Sequence, residues 1–374
     1  MAQESNFAHL MLKEIYEQPR AVFNTARGAD APVAGVLEPL SRWQAPHISG
    51  LRRILIAASG SSRHAGMAGK VMIETLAGMP TEVGYSSELQ HSPLSTGPET
   101  LVVVITQSGE TSDTLGALRR AKKSGSPVLA IGNVADASIM READATLHTK
   151  AGPELSVPST KAFAAQLAAL FLFAVWLARN REVISEDQAR EHQSALLAIP
   201  DKLAAVLELD PACRALAQKY LWCEDFFYAG RGVHFPIALD GALKLKEVSY
   251  LHAEGFPAGE ILHGPLALVD ERSTSVVLAT RDAKDAESQQ RYEKTVSTIR
   301  ELKARSGKVI AVVNPRDDIV LPLADDILEV PPAPELLLPL LEIVPLQLFA
   351  YHTAVLQGRE VDRPRHLSKA VITE

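Results

Sequence analysis

The chain reads as an α/β protein made of two parallel sheets, each covered by helices on both faces. Two observations predict this. Short apolar runs alternate with helix-like stretches along most of the 374 residues, the pattern of parallel strands joined by crossover helices. The pattern also occurs twice. AASGSSRHAGMAGKVMIE, from Ala57, and YAGRGVHFPIALDGALKLKE, from Tyr228, each run a strand into a glycine turn and then a helix, with small residues at matching places. Such self-similarity marks an internal duplication.

Taken in order, residues 1–45 form a helical segment: one amphipathic helix carrying Phe7, Leu10, Met11 and Ile15, stopped near Pro19, and a second short helix around Val36 to Trp43. Residues 46–184 form the first α/β domain. Its strands are Arg53 to Ala58, Thr81 to Tyr85, Leu101 to Ile105, Pro127 to Ile131 and Ala145 to His148. Ala164 to Leu177 is the most apolar run. It contains Gln166 and is shorter than the roughly 20 residues a bilayer span needs, so it reads as a buried core helix. Residues 185–210 are a charged helical linker. Residues 211–358 form the second domain, with strands Asp225 to Ala229, Thr274 to Ala279, Lys308 to Val313 and Asp326 to Val330, and helices from Pro236, over Ala283 to Ser306 and over Pro334 to Gln357. Residues 359–374 are a tail that stays apolar enough to dock.

Bulk composition bounds the function. At 47% hydrophobic the chain can fill two cores. A net charge of −7 argues against broad nucleic-acid binding, which needs a basic face, but leaves room for a local pocket for one sugar phosphate. Cys213 and Cys223 are too far apart for a CxxC motif and too few for a disulfide framework, so they read as thiols of a reducing cytoplasm. From the polar N-terminus no signal peptide is expected. No metal, cofactor, nucleic acid or membrane is expected.

The chemistry centres on Thr106-Gln107-Ser108-Gly109-Glu110-Thr111-Ser112-Asp113-Thr114, between a strand and a helix. Free N–H groups at a helix start, joined by hydroxyls, make a cradle for an anion, most often a phosphate. A capping box of the SxxE kind is the plain alternative, but the hydroxyls outnumber what one cap uses. No lysine follows the glycine, so this is not a P-loop, and the phosphate should belong to a small metabolite without magnesium. Ser59-Gly60-Ser61-Ser62 lies at the same carboxyl edge of the sheet, where α/β ligands bind. A third loop, Glu154 to Lys161, again places hydroxyls at a helix start, with an N-cap by Ser159 as its plain reading. Where the first copy has TQSGETSDT the second has ATRDAKDAE, so phosphate falls to the first copy and the second is free for other work.

In the second copy, Lys244 and Glu247 are three apart on one helix face. A surface ion pair is the commoner meaning, but the Leu, Ala and Val neighbours predict burial, where ionisable pairs often mark function. His263 sits between a short helix and a Gly-Pro stop, a place for a titrating imidazole. In the tail, Lys369 against apolar walls could form a Schiff base.

With TQSGET, STKAF, ALKLKE, AGE-x-x-HGP and DRPRHLSK in this order, the chain resembles the isomerase half of glucosamine-6-phosphate synthases, a pair of SIS (sugar isomerase) domains, from about Met11 to its end. The resemblance implies two flavodoxin-like sheets and an enzyme. It implies that Ser61, Ser62, Thr106, Gln107, Ser108 and Thr111 hold the phosphate of a hexose 6-phosphate, and that Val157, Ser159 and Ser368 line the sugar. Glu247 would move a proton between C1 and C2, with Lys244 nearby. Lys369 would meet the open-chain carbonyl, and His263, from the second subunit of a homodimer, would assist ring opening.

The departures are Ser59 for a cysteine, Thr106 for a serine, Asp240 for a glutamate and Ser368 for an alanine; none removes a proposed catalytic group. The sequence starts Met1-Ala2-Gln3, without the family's glutaminase segment, so ammonia is expected to exchange with solution. That favours a glucosamine-6-phosphate deaminase giving fructose 6-phosphate and ammonia. A plain phosphosugar isomerase, an ammonia-dependent aminotransferase subunit and a non-catalytic sugar-phosphate regulator are the alternatives.

Overall fold

The computed structural model describes residues 7–27, 50–91 and 96–370. They fall into a front unit, Gln18–Glu154 with Lys161–Pro200 and Ser368–Glu374, and a rear unit, Met1–Glu17 with Leu155–Thr160 and Asp201–Leu367. The helix expected around Val36 to Trp43 lies outside the described residues.

Two helices open the described chain, α1 (Leu10–Tyr16) and α2 (Gln18–Arg27). α1 stops at Tyr16, near Pro19 as expected, and Pro19 itself sits in the first turn of α2. A helix leaves its first N–H groups unbonded, so the missing proline N–H costs nothing there.

The front unit is a five-stranded parallel sheet of β1 (Arg53–Ala58), β2 (Thr81–Tyr85), β3 (Thr100–Ile105), β4 (Val128–Gly132) and β5 (Ala145–His148), in the order β2-β1-β3-β4-β5. This is the flavodoxin order. Every residue of β3 and β4 is buried, as expected of central parallel strands covered on both faces. The helices are α3 (Gly60–Ala77), α4 (Ser86–Leu89), α5 (Ser112–Lys123), α6 (Ser138–Glu142), α7 (Lys161–Asn180) and α8 (Glu186–Leu197). Ala117, Leu118 and Ala121 of α5 meet Val102 and Val104 on one face. α7 packs along α3 and α2 and is buried from Lys161 through Ala178, as the uninterrupted apolar run predicts. Each fully buried Leu or Phe there contributes about 2 kcal/mol. By length and composition α7 and the Glu335–Leu356 stretch could each cross a membrane, yet both are largely buried inside the protein.

The rear unit follows with α9 (Ile199–Leu207), α10 (Asp210–Lys219), α11 (Phe235–Ser249), α12 (Ala286–Lys303) and α13 (Leu338–Leu356). Its sheet contains β6 (Asp225–Gly230), β7 (His252–Pro257), β8 (Thr274–Ala279), β9 (Lys308–Val313) and β10 (Asp326–Glu329), in the order β10-β9-β8-β6-β7. Read from β7, the connectivity repeats that of the front unit, so the duplication is one of topology. β7 carried no strand signal. Among the described residues it pairs only with β6, is largely unburied, and contains Gly255 and Pro257, residues that an edge tolerates. The short helix before His263 is a 3-10 turn, Glu260–His263.

Candidate functional site

In the front unit β1 and β3 are direct neighbours, with Ala57 opposite Val104. After β1 the chain turns at Ser59 directly into α3, so Ser61 and Ser62, expected in a loop, lie in the first helical turn. That turn and the Thr106–Thr111 loop after β3 leave the carboxyl edge side by side, where the strand order diverges to left and right. Crevices of open α/β sheets form at such switch points.

Neither N-cap side chain caps its helix. Ser59 precedes α3 and Thr111 precedes α5, and neither side chain bonds a helix N–H. Thr106 Oγ1 instead accepts from Gly109 N at 3.0 Å, and Ser108 Oγ from Glu110 N at 3.2 Å, so these two shape the loop. Ser61 is buried. Ser62 Oγ accepts from Gln166 Nε2 of α7 at 3.0 Å, which explains a polar residue in that apolar run. Gln107, Ser108 and Thr111 are half-buried. Gly109 has φ +74°, and a Cβ there would lie 2.2 Å from Ala137 Cβ, so only glycine lets the loop pass. Glu110 accepts from Ser138 N at 2.7 Å, and that amide bond holds its carboxyl below the usual range.

Lys369 also belongs to the front unit. Its Nζ bonds Glu154 Oε2 at 2.5 Å, while Glu154 Oε1 accepts from Ala162 N, in the first turn of α7, at 3.0 Å. The Glu154 side chain is 0% exposed and that of Lys369 24%. Burying a carboxylate is costly unless both oxygens are bonded; here a helix start and the tail ammonium share it. Ser368 is exposed, with Oγ donating to Ala370 O at 3.2 Å.

The rear unit holds the remaining candidates. Lys244 Nζ and Glu247 Oε2 are 2.5 Å apart on α11, with side-chain exposures of 1% and 21%. The reading as a surface pair therefore does not hold. Asp240, one turn earlier, is fully buried. His263 is exposed at the end of its 3-10 turn, before Gly264. Val157 and Ser159 are half-buried in a loop held from two sides. Glu14 of α1 accepts from Leu155 N at 2.5 Å and from Ser156 N and Oγ. Val157 N donates to Asp362 O at 2.8 Å. The Asp362 carboxylate in turn accepts from Leu10 N and Met11 N, at 2.9 and 2.8 Å. Tail residue Arg365 donates its N–H to Tyr250 Oη at 2.9 Å and stacks over that ring. The tail docks, as expected.

Glu154 and Glu14 were given no role by sequence reasoning. Glu14 did leave a signal: it falls on the buried face of α1 with Met11 and Ile15, a carboxylate in an apolar stripe. A third group, the buried His234, sits between Glu342 (Nδ1 to Oε1, 2.8 Å) and Glu335 (Nε2 to Oε1, 3.5 Å). Burial by itself would lower the imidazole, but the two carboxylates outweigh it and hold it up at about 9.

The SIS domain model matches residues 47–176 and again 223–357. The chain belongs to the SIS domain family. It is 43% identical, over all of its length, to the glutamine–fructose-6-phosphate aminotransferase (isomerizing) of Chlorobaculum tepidum, and spans 59% of that relative. The structure of the C-terminal domain of glucosamine-fructose-6-phosphate aminotransferase from Francisella tularensis is 36% identical, with a TM-score of 0.89, covering 97% of this chain and 100% of that one. Glucosamine-6-phosphate deaminase from Thermotoga maritima, at 19% identity, shares the fold with a TM-score of 0.69, covering 97% of this chain and 99% of its own. The expected family, tandem SIS arrangement and α/β class are thus borne out, and the relatives are enzymes by name.

Proposed function

We propose that this SIS protein interconverts glucosamine 6-phosphate and fructose 6-phosphate with ammonia. The observation that carries the reading is Lys369, seated on Glu154 in the unit that also bears both hydroxyl loops. A cradle for a phosphate and an amine able to meet a carbonyl thus share one unit. Ser61, Ser62, Thr106, Gln107, Ser108 and Thr111 hold the phosphate in this reading, and Val157, Ser159 and Ser368 line the sugar. Glu247, half-buried and bonded to Lys244, is the base. It removes the C2 proton of the open-chain aldose and returns it at C1, while the Lys244 ammonium offsets charge on the enediol-like intermediate. The resulting C2 imine exchanges with the Lys369 amine and releases ammonia. Water then hydrolyses the lysine imine to fructose 6-phosphate and the free amine. In this reading the exposed His263 is the ring-opening group, supplied by a second copy in a homodimer.

The same steps run backwards consume ammonia, and the 43% identity to an isomerizing aminotransferase favours testing that direction equally. A sugar-phosphate sensor would need the hydroxyl loops alone, not a buried Lys–Glu pair and a docked lysine. The test is ammonia release from glucosamine 6-phosphate, and glucosamine 6-phosphate formation from fructose 6-phosphate and ammonium. The expected result is turnover in at least one direction, reduced by about 10²–10⁴ in Glu247→Gln. Equal rates in variant and wild type would remove Glu247 as the base, and no turnover in either direction would remove the reaction.

A further inference from the structure

The duplication leaves the rear unit with its own carboxyl edge, and the proposed reaction makes no use of the loops after β8, β9 and β10. There the structure has a cavity of about 710 Å³ lined by Lys202, Arg281, Lys284 and Arg316 together with Ala283, Pro315, Pro332, Ala333 and Pro334. Four cationic residues around one cavity stand out in a chain of net charge −7. Among the described residues none of the four forms an ion pair.

Two of them are held by neutral partners. Arg281 lies over the Tyr292 ring, 4.0 Å from its centre, with Nη1 on Gln289 Oε1 at 3.2 Å, and its backbone N–H donates to Asn314 Oδ1 at 2.8 Å. Lys202 Nζ donates to the Pro332 carbonyl. The one carboxylate lining the cavity, Asp282, accepts from the backbone N–H of Lys284 at 3.0 Å. The start of α12 is closed to ligands, because Asp285 already caps it through Glu287 N and Ser288 N. An anion here would meet side-chain cations, not a helix terminus.

We propose that this cavity is a second ligand site, for a phosphate ester whose organic part lies against the proline and alanine walls. Arginine and lysine provide the charge-assisted bonds that phosphate oxygens take. The volume falls within the 300–1,000 Å³ range common for small-molecule sites. Its Arg281–Lys284 side stands where the Thr106–Thr114 loop stands in the first copy, after β8 instead of β3, with cations replacing hydroxyls. It stands independently of the proposed reaction.

Calorimetric titration of the full chain with phenyl phosphate, and separately with inorganic phosphate, tests this. Ser108→Ala/Thr111→Ala weakens the front loops and leaves the rear site to be read alone. In that variant phenyl phosphate should bind about tenfold more tightly than inorganic phosphate, a difference of about 1.4 kcal/mol. Adding Arg281→Ala/Arg316→Ala should weaken the ester at least tenfold. Lys284→Glu/Arg316→Glu reverses two exposed charges that support no packing, so it serves if the alanine pair unfolds. Titration of Lys284→Glu/Arg316→Glu indistinguishable from its parent, or no ester binding to the front-loop variant, would overturn the site.

Discussion

At Gly109 and Glu154 a single atom decides what the site can be. A methyl group at Gly109 meets both a left-handed backbone, φ +74°, and the Ala137 methyl. Gly109→Ala should cost about 2 kcal/mol or more in urea unfolding, and should raise KM for the phosphorylated sugar more than it lowers kcat, because the loop proposed to grip the phosphate shifts. Glu154→Gln keeps the shape but removes the charge that holds the Lys369 ammonium. Misplacing a reacting group by about 1 Å can cost around a hundredfold. We therefore expect kcat to fall by ten- to a hundredfold with KM little changed, borohydride trapping of fructose 6-phosphate on Lys369 to fall in parallel, and Glu154→Asp to recover part of both. Lost thermal stability with unchanged trapping would reduce Glu154 to a cap for α7.

At the scale of elements, the carboxyl edge of the rear sheet is braced by a buried charge cluster. Glu335 links Arg291 of α12 to His234, and Glu342 of α13 links His234 to Thr280 after β8. His234 is raised to about 9 from an ordinary 6.5. Its contribution is thus fully present below about pH 6.5 and is lost as pH rises through 9. Glu335 behaves oppositely. Burial by itself would raise it, but the bonds from His234 and Arg291 depress it to about 2. Its share is present above about pH 4.5 and disappears as pH falls towards 2. The melting temperature should drop by a few degrees between pH 7 and 9.5, and His234→Gln should flatten that slope. An unchanged slope in the variant would show that His234 is neutral in the folded protein.

For the molecule as a whole, the candidate residues divide between the units: Ser61, Ser62, Thr106, Gln107, Ser108, Thr111, Ser368 and Lys369 in the front, and Lys244, Glu247, His263, Val157 and Ser159 in the rear. Activity that needs both sets, with His263 supplied by a second copy, predicts complementation. Mixed His263→Ala and Lys369→Ala chains, co-refolded, should recover about a quarter of wild-type turnover if subunits pair at random; recovery no greater than the sum of the separate variants would argue that each chain works alone.

The strands and their places in the chain, the two hydroxyl segments at the carboxyl edge and the buried α7 were legible because each rests on a local pattern: apolar runs, glycine turns and helical periodicity survive in one dimension. So was the burial of Lys244, from its Leu and Ala neighbours. β7 was not legible, since an edge strand needs no apolar run. Nor were the partnerships of Glu154 with Lys369 and of Glu14 with Ser156, which join residues 215 and 142 positions apart. The amino-acid sequence by itself determined two sheets, their helices and the chemical inventory of the loops. Only the tertiary structure decided which carboxylate meets which ammonium, because a buried charge takes its partner from whatever the packed chain brings within hydrogen-bond reach, and no local pattern encodes that distance.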